Sequence, residues 1–101
     1  MALLTLQEAR DALRLEGTDN DTIIQPLVDA LPDYMQATTG SAWDDEKAAG
    51  YNLAKTCAKF ILQLWYNADI SDAEKLQAVI DRLLGTLAVM ARSNTGGGTN
   101  G

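Results

Sequence analysis

The stretch YNLAKTCAKFILQLWYN, residues 51–67, constrains the fold more than any other part of the chain. At about 100° per residue, Phe60, Leu53, Leu64, Cys57, Ile61, Ala54, Trp65, Ala58, Tyr51 and Leu62 sweep an apolar arc of roughly 200°, where a helix with one buried face needs only about 100°. The polar remainder is Lys55, Lys59, Asn52, Gln63 and Thr56. A helix this widely apolar must be covered from two sides. It is the central helix of its domain, or a core helix with a second face in an interface, or both. Its start is predicted near Asp44 or Asp45, because acids suit the positive end of the helix dipole.

Three further helices are legible around it. LTLQEARDALRLEG opens the chain with a capping box, Thr5 to Glu8, in which hydroxyl and carboxylate satisfy free first-turn amides. Leu6, Ala9 and Leu13 share one side, and Gly17 offers a left-handed stop. In DTIIQPLVDALPDYMQATTG, the residues Ile23, Ile24, Leu27, Val28, Leu31, Tyr34 and Met35 fall within an arc of roughly 140°. Pro26 is tolerable near the first turn, whereas Pro32 is expected to kink or restart the helix, since it has no amide to donate. Gly40 ends this segment. The last helix, SDAEKLQAVIDRLLGTLAVMARS, has a second capping box at Ser71 and Glu74 and a stripe of Leu76, Val79, Ile80, Leu83, Leu84, Leu87 and Met90. Gly85 lies opposite that stripe. The expected architecture is all-α: a single small four-helix domain, residues 1–92, with a long central helix, and a flexible Gly-rich C-terminal tail, residues 93–101.

Charge narrows the function. The net charge is −6, which argues against a protein that grips nucleic acid through its phosphates. The charge is also split along the chain. Residues 1–46 hold ten acids against Arg10 and Arg14, a net −8, while residues 47–101 hold six bases against four acids, a net +2. Such a split favours head-to-tail contact between copies, although helix faces also differ in charge for no reason beyond solvation. Cys57 is the one cysteine, so no intrachain disulfide forms and a reduced, cytosolic setting is expected. No signal peptide opens the chain, and no apolar run reaches the ~20 residues of a membrane span.

Chemistry has little to stand on. The chain has no histidine, the commonest general base and metal ligand. Asp19 and Asp21 suggest a calcium loop, but the EF-hand pattern needs Gly and Glu where Ile24 and Ala30 stand. Cys57 falls within the apolar arc and is expected to be inert. Asp44 and Asp45 read as a helix cap rather than a catalytic pair. No catalytic, cofactor-binding or metal-binding residue is assigned. Trp65 reads as core, with Tyr66 about 100° round the helix as an amphipathic edge residue or a partner contact.

The order of these segments resembles the head–tail connector (adaptor) proteins of tailed bacteriophages and prophages. The resemblance rests on Leu4, Thr5, Glu8, Ala9, Leu13 and Arg14, on the Asp-rich turn Asp19–Asp21, on the TG that closes the second helix, and on a central helix ending in Trp65–Tyr66. It covers roughly residues 3–90. It implies a structural, non-enzymatic subunit without cofactors, located in the virion at the head–tail interface and assembled in the bacterial cytoplasm. About a dozen copies would form a closed ring, docked on the portal protein and meeting a tail-side connector or stopper protein. DNA would pass through that channel without specific binding, and no membrane is involved. The free protein is expected to include a monomeric state before docking. Phe60, Leu64 and Tyr66, at the end where the chain leaves the bundle, are the candidate interface residues. Two other classes stay open from the residues alone: a small helical protein-binding adaptor or regulator, and a helical nucleic-acid-binding domain.

Overall fold

The computed structural model describes residues 3–67 and 71–100, with side chains through Ser93. The chain forms four helices, α1 (Leu6–Leu13), α2 (Asp21–Thr39), α3 (Tyr51–Tyr66) and α4 (Ala73–Asn100), with no strand among the described residues. The all-α architecture read from periodicity is therefore present. The expected tail, 93–101, lies almost wholly outside the residues whose side chains are described.

The arrangement is more symmetric than one helix ringed by three. Both α2 and α3 pack against every other helix, while α1 and α4 do not touch each other. The centre is thus a pair, with α1 and α4 as flanks. The wide apolar arc explains the place of α3: around its full circumference only Asn52 and Thr56 are exposed. It is central, but α4 is the longest helix.

The first capping box is present. The Thr5 hydroxyl accepts from the Glu8 amide at 3.0 Å, and the Glu8 carboxylate accepts from the Thr5 amide at 2.9 Å. The helix stops earlier than Gly17 suggested, at Arg14, whose φ of 59° is left-handed and whose amide donates to Arg10 and Asp11 carbonyls. α2 is one helix through both prolines, so Pro32 does not restart it, and Gly40 ends it in a left-handed cap at φ 91°. Burial of Ile24, Val28, Leu31 and Met35 accounts for this: tertiary packing along one face outweighs the rung each proline removes.

The largest departure lies in residues 41–50. α3 does not begin at Asp44 or Asp45. Those acids sit in an irregular loop, where the Asp45 carboxylate accepts from the Lys47 amide at 2.9 Å. α3 begins only after Gly50, at φ 91°. Asp45 caps a turn rather than a helix. This loop also supplies the largest fully buried side chain, Trp43. Its φ of 56° is left-handed, a conformation rare for bulky residues and costing roughly 1–3 kcal/mol. It is held by burial of the ring and by the Thr39 hydroxyl, which accepts from its indole Nε1 at 3.0 Å. Leu3 and Leu4, ahead of α1, complete the core with the inner faces of the four helices.

The α4 stripe is as expected along most of its length. Ile80 and Leu87 are buried, and Leu76, Leu83, Leu84 and Met90 pack against the core. Val79 is 40% exposed. Gly85 faces open space on the opposite side. The helix begins at Ala73, so the cap position falls on Asp72, whose carbonyl accepts from Leu76, rather than on Ser71.

Candidate functional site

The three residues singled out at the end of α3 do not form one patch. Phe60 and Leu64 stand one turn apart on the same edge, and both are half-buried against the core. Tyr66 lies roughly 120–160° round the helix from them, on the edge that also carries Lys55 and Lys59, and it is half-buried too. Trp65 is half-buried rather than core. Its ring meets Tyr34 of α2 edge-on, with centroids 5.3 Å apart and planes at 84°, a favoured aromatic geometry. Trp43 holds the interior position that sequence reading assigned to Trp65. Nothing in helical periodicity flags Trp43, because it lies outside any helix. The exit from α3 through residues 68–70 lies outside the described residues.

The Tyr66 edge of α3 is the one that α1 fastens. Lys55 pairs with Glu8, the acid of the capping box. Its ammonium also lies 5.7 Å from the centroid of the Tyr51 ring. Gln63 donates to the Ala12 carbonyl at 3.1 Å, which satisfies an acceptor near the end of α1 that its own helix leaves free. Burial would raise the Glu8 carboxyl, but the Lys55 ammonium and the Thr5 amide outweigh it and hold it below the usual value. Lys55 is raised in turn, chiefly by its bond to Glu8. Arg10 clasps Asp21 at the start of α2 through two bonds, of 3.0 and 3.2 Å. Each of these charges is engaged in fastening one helix to another, so the edge is a seam between helices.

The described residues show no grouping of a different kind. Cys57 is fully buried, and burial pushes its thiol up to about 11, so little thiolate exists near neutrality. No group of three or more metal-ligating side chains is present among the described residues. A shallow open depression lies between the 40–48 loop and Ala91 of α4, with Asp44 and Asp45 at its rim. Both carboxylates are exposed, and Ser41, which also lines the depression, has a hydroxyl that accepts from the Trp43 amide at 3.1 Å. Among the described residues, no helix is long and apolar enough to cross a membrane.

Sequence reading missed some surface features. Ile23, expected on the buried arc of α2, is 56% exposed, and Val89 of α4, outside the expected stripe, is equally so. Ile23 lies at one end of the expected arc and Val89 opposite the expected stripe, and only the packing shows that nothing among the described residues covers them. No family model, no curated protein and no solved structure matches the chain.

Proposed function

We propose that this chain is a head–tail connector (adaptor) subunit of a tailed phage or prophage. Copies form a ring that docks on the portal and extends the DNA exit channel toward the tail. The observation that carries the reading is the order of segments: a Leu-Thr capping-box helix, an Asp-rich turn, a helix closed by Thr39–Gly40, and a helix ending in Trp65–Tyr66. A structural role also suits side chains whose charges are spent on fastening helices. Net acidity suits a channel wall, because a negative lumen repels phosphates and leaves the passing genome unattached. The partners are the portal, a tail-side connector or stopper, and further copies of the chain. The site of action is the virion.

The test is to mix the purified protein with portal rings of the phage or prophage that encodes it. Negative-stain imaging and native mass measurement then score the mixture. A ring of added density on one portal face is the expected result. Portal rings that stay bare at high protein excess, with the protein folded, would refute the reading. A parallel titration with duplex DNA at physiological salt is expected to show no binding.

A further inference from the structure

We infer that neighbouring copies join head to tail, through the outer face of α2 on one copy and the outer face of α4 on the next. This deepens the connector reading, and rests on it for closure into a ring.

Ile23, Pro26, Ala30, Asp33 and Ala37 follow one another at heptad-like spacing along α2, and all are exposed. So are Ala78, Arg82, Gly85 and Val89 along α4. Such spacing keeps one seam facing a partner helix. Both faces point away from the core, since α2 turns Ile24, Val28, Leu31 and Met35 inward and α4 turns Ile80 and Leu87 inward. One molecule therefore carries two separate faces and holds two neighbours at once, which a heterologous contact requires.

Charge selects the occupant. α2 contains three acids and no base. Asp29 and Asp33 lie on its outer face, and among the described residues neither joins an ion pair. Asp29 accepts from the Gln25 amide at 2.9 Å, a neutral donor that leaves its charge in place. On α4, Arg82 lies between Ala78 and Val89 and likewise joins no ion pair among the described residues. Asp81 borders this face and turns toward Gln77, whose amide donates to it at 2.8 Å. α2 against α2 would set acid against acid. α2 against α4 sets acid against base.

Charge also selects the register. With the helices antiparallel and Ile23 beside Val89, Asp29 stands about 9 Å along α2 and Arg82 about 10 Å along α4. Asp29 and Asp33 then flank the guanidinium, and Pro26 meets Gly85, where the missing side chain permits close approach. A parallel register that kept Arg82 level with Asp29 would set Val89 level with Gln36 and Ile23 level with Leu76, separating the two apolar side chains. The faces are narrow and their side chains small, so the contact is weak when free and gains from being held on a ring.

The experiment traps this contact. Ile23→Cys and Val89→Cys are made separately, mixed in equal amounts and oxidised with glutathione disulfide. Buried Cys57 stays silent, and circular dichroism confirms that both variants fold. The expected result is about a tenfold excess of mixed disulfide over either homodimer, lost in Arg82→Glu and restored when Asp29→Lys is paired with it. Random pairing, or a homodimer excess, overturns the inference. Portal docking is scored separately. Docked rings with random disulfides would leave the connector reading standing and remove this contact; mixed disulfides with bare portals would do the reverse.

Discussion

Gly50 is where backbone and packing press on the same atom, and its replacement by alanine separates the two. Its φ of 91° lies in the left-handed region, which costs an L-residue roughly 1–2 kcal/mol. A methyl group there would also sit 2.9 Å from both Sδ and Cε of Met90, and 3.4 Å from Cζ3 of Trp43. The Met90 end is flexible, so it yields by leaving its rotamer, at about 0.5–1.5 kcal/mol. Gly50→Ala is therefore expected to cost about 2–3 kcal/mol. That lowers the thermal midpoint by roughly 10–20 °C for a domain of this size. Gly17 provides the control, with φ 77° and nothing within 4 Å of the place a methyl group would take; Gly17→Ala is expected to cost only the backbone share, about 1–2 kcal/mol. In a Met90→Ala background the Gly50→Ala cost falls to the Gly17→Ala level, because the obstructing atoms are gone. Gly85→Ala, in open space on the outer face of α4, moves the other way, stabilising by about 0.5–1 kcal/mol. Urea and thermal unfolding followed by circular dichroism read the parent chain, each single variant and the double variant. Equal losses at Gly50 and Gly17, or no coupling between Gly50→Ala and Met90→Ala, would refute the steric account.

Thr39→Val removes a hydroxyl that accepts from the Trp43 indole and donates to the Met35 carbonyl at 2.7 Å. The buried indole N–H is left unpaired, so a loss of about 1–3 kcal/mol is expected in denaturant unfolding, with a change in tryptophan emission. The Glu8 carboxyl is depressed below its ordinary 4.5 in the folded chain. The stability it contributes is present above that ordinary value and is lost as pH falls through the lowered one. Glu8→Gln is therefore expected to be destabilising at neutral pH, with its deficit against the parent chain shrinking toward acid pH; a deficit that stays constant with pH would rule out the linkage.

Helical periodicity carried the fold as far as local signals reach. The Thr5–Glu8 box, the Gly40 stop and the inner stripes of α2 and α4 were legible because each depends on residues within a turn or two. The 41–50 loop was not. Asp44 and Asp45 look the same whether they cap a helix or a turn, and Gly50 reads as a tolerated helix interior until Met90, forty residues later in sequence, is seen beside it. Trp43 was invisible for the same reason, since its burial goes with a left-handed backbone that no side-chain pattern announces. At the candidate site, the half-exposed edges of α3 were foreseen as leftover apolar arc. Their division into two separate edges follows from angles available in the sequence. Which neighbour occupies each edge does not, and the Lys55–Glu8 and Tyr34–Trp65 contacts supply that.

The two prolines inside α2 bear on the order in which the molecule assembles. Neither has an amide hydrogen, so the carbonyls of Thr22 and Val28 lack the donor four residues on, and the ladder of α2 is missing two rungs six residues apart. Such a segment does not propagate as an isolated helix. It is helical because α1, α3 and α4 lie against it. α3 and α4 have no proline to break their ladders and are consecutive in the chain, so their pairing is expected to come first, with α2 closing onto a surface already in place. Native-state hydrogen exchange is expected to follow that order, with α2 amides opening at lower free energy than those of α3. A central helix that forms by docking is also the one whose outer face is last to become a surface at all.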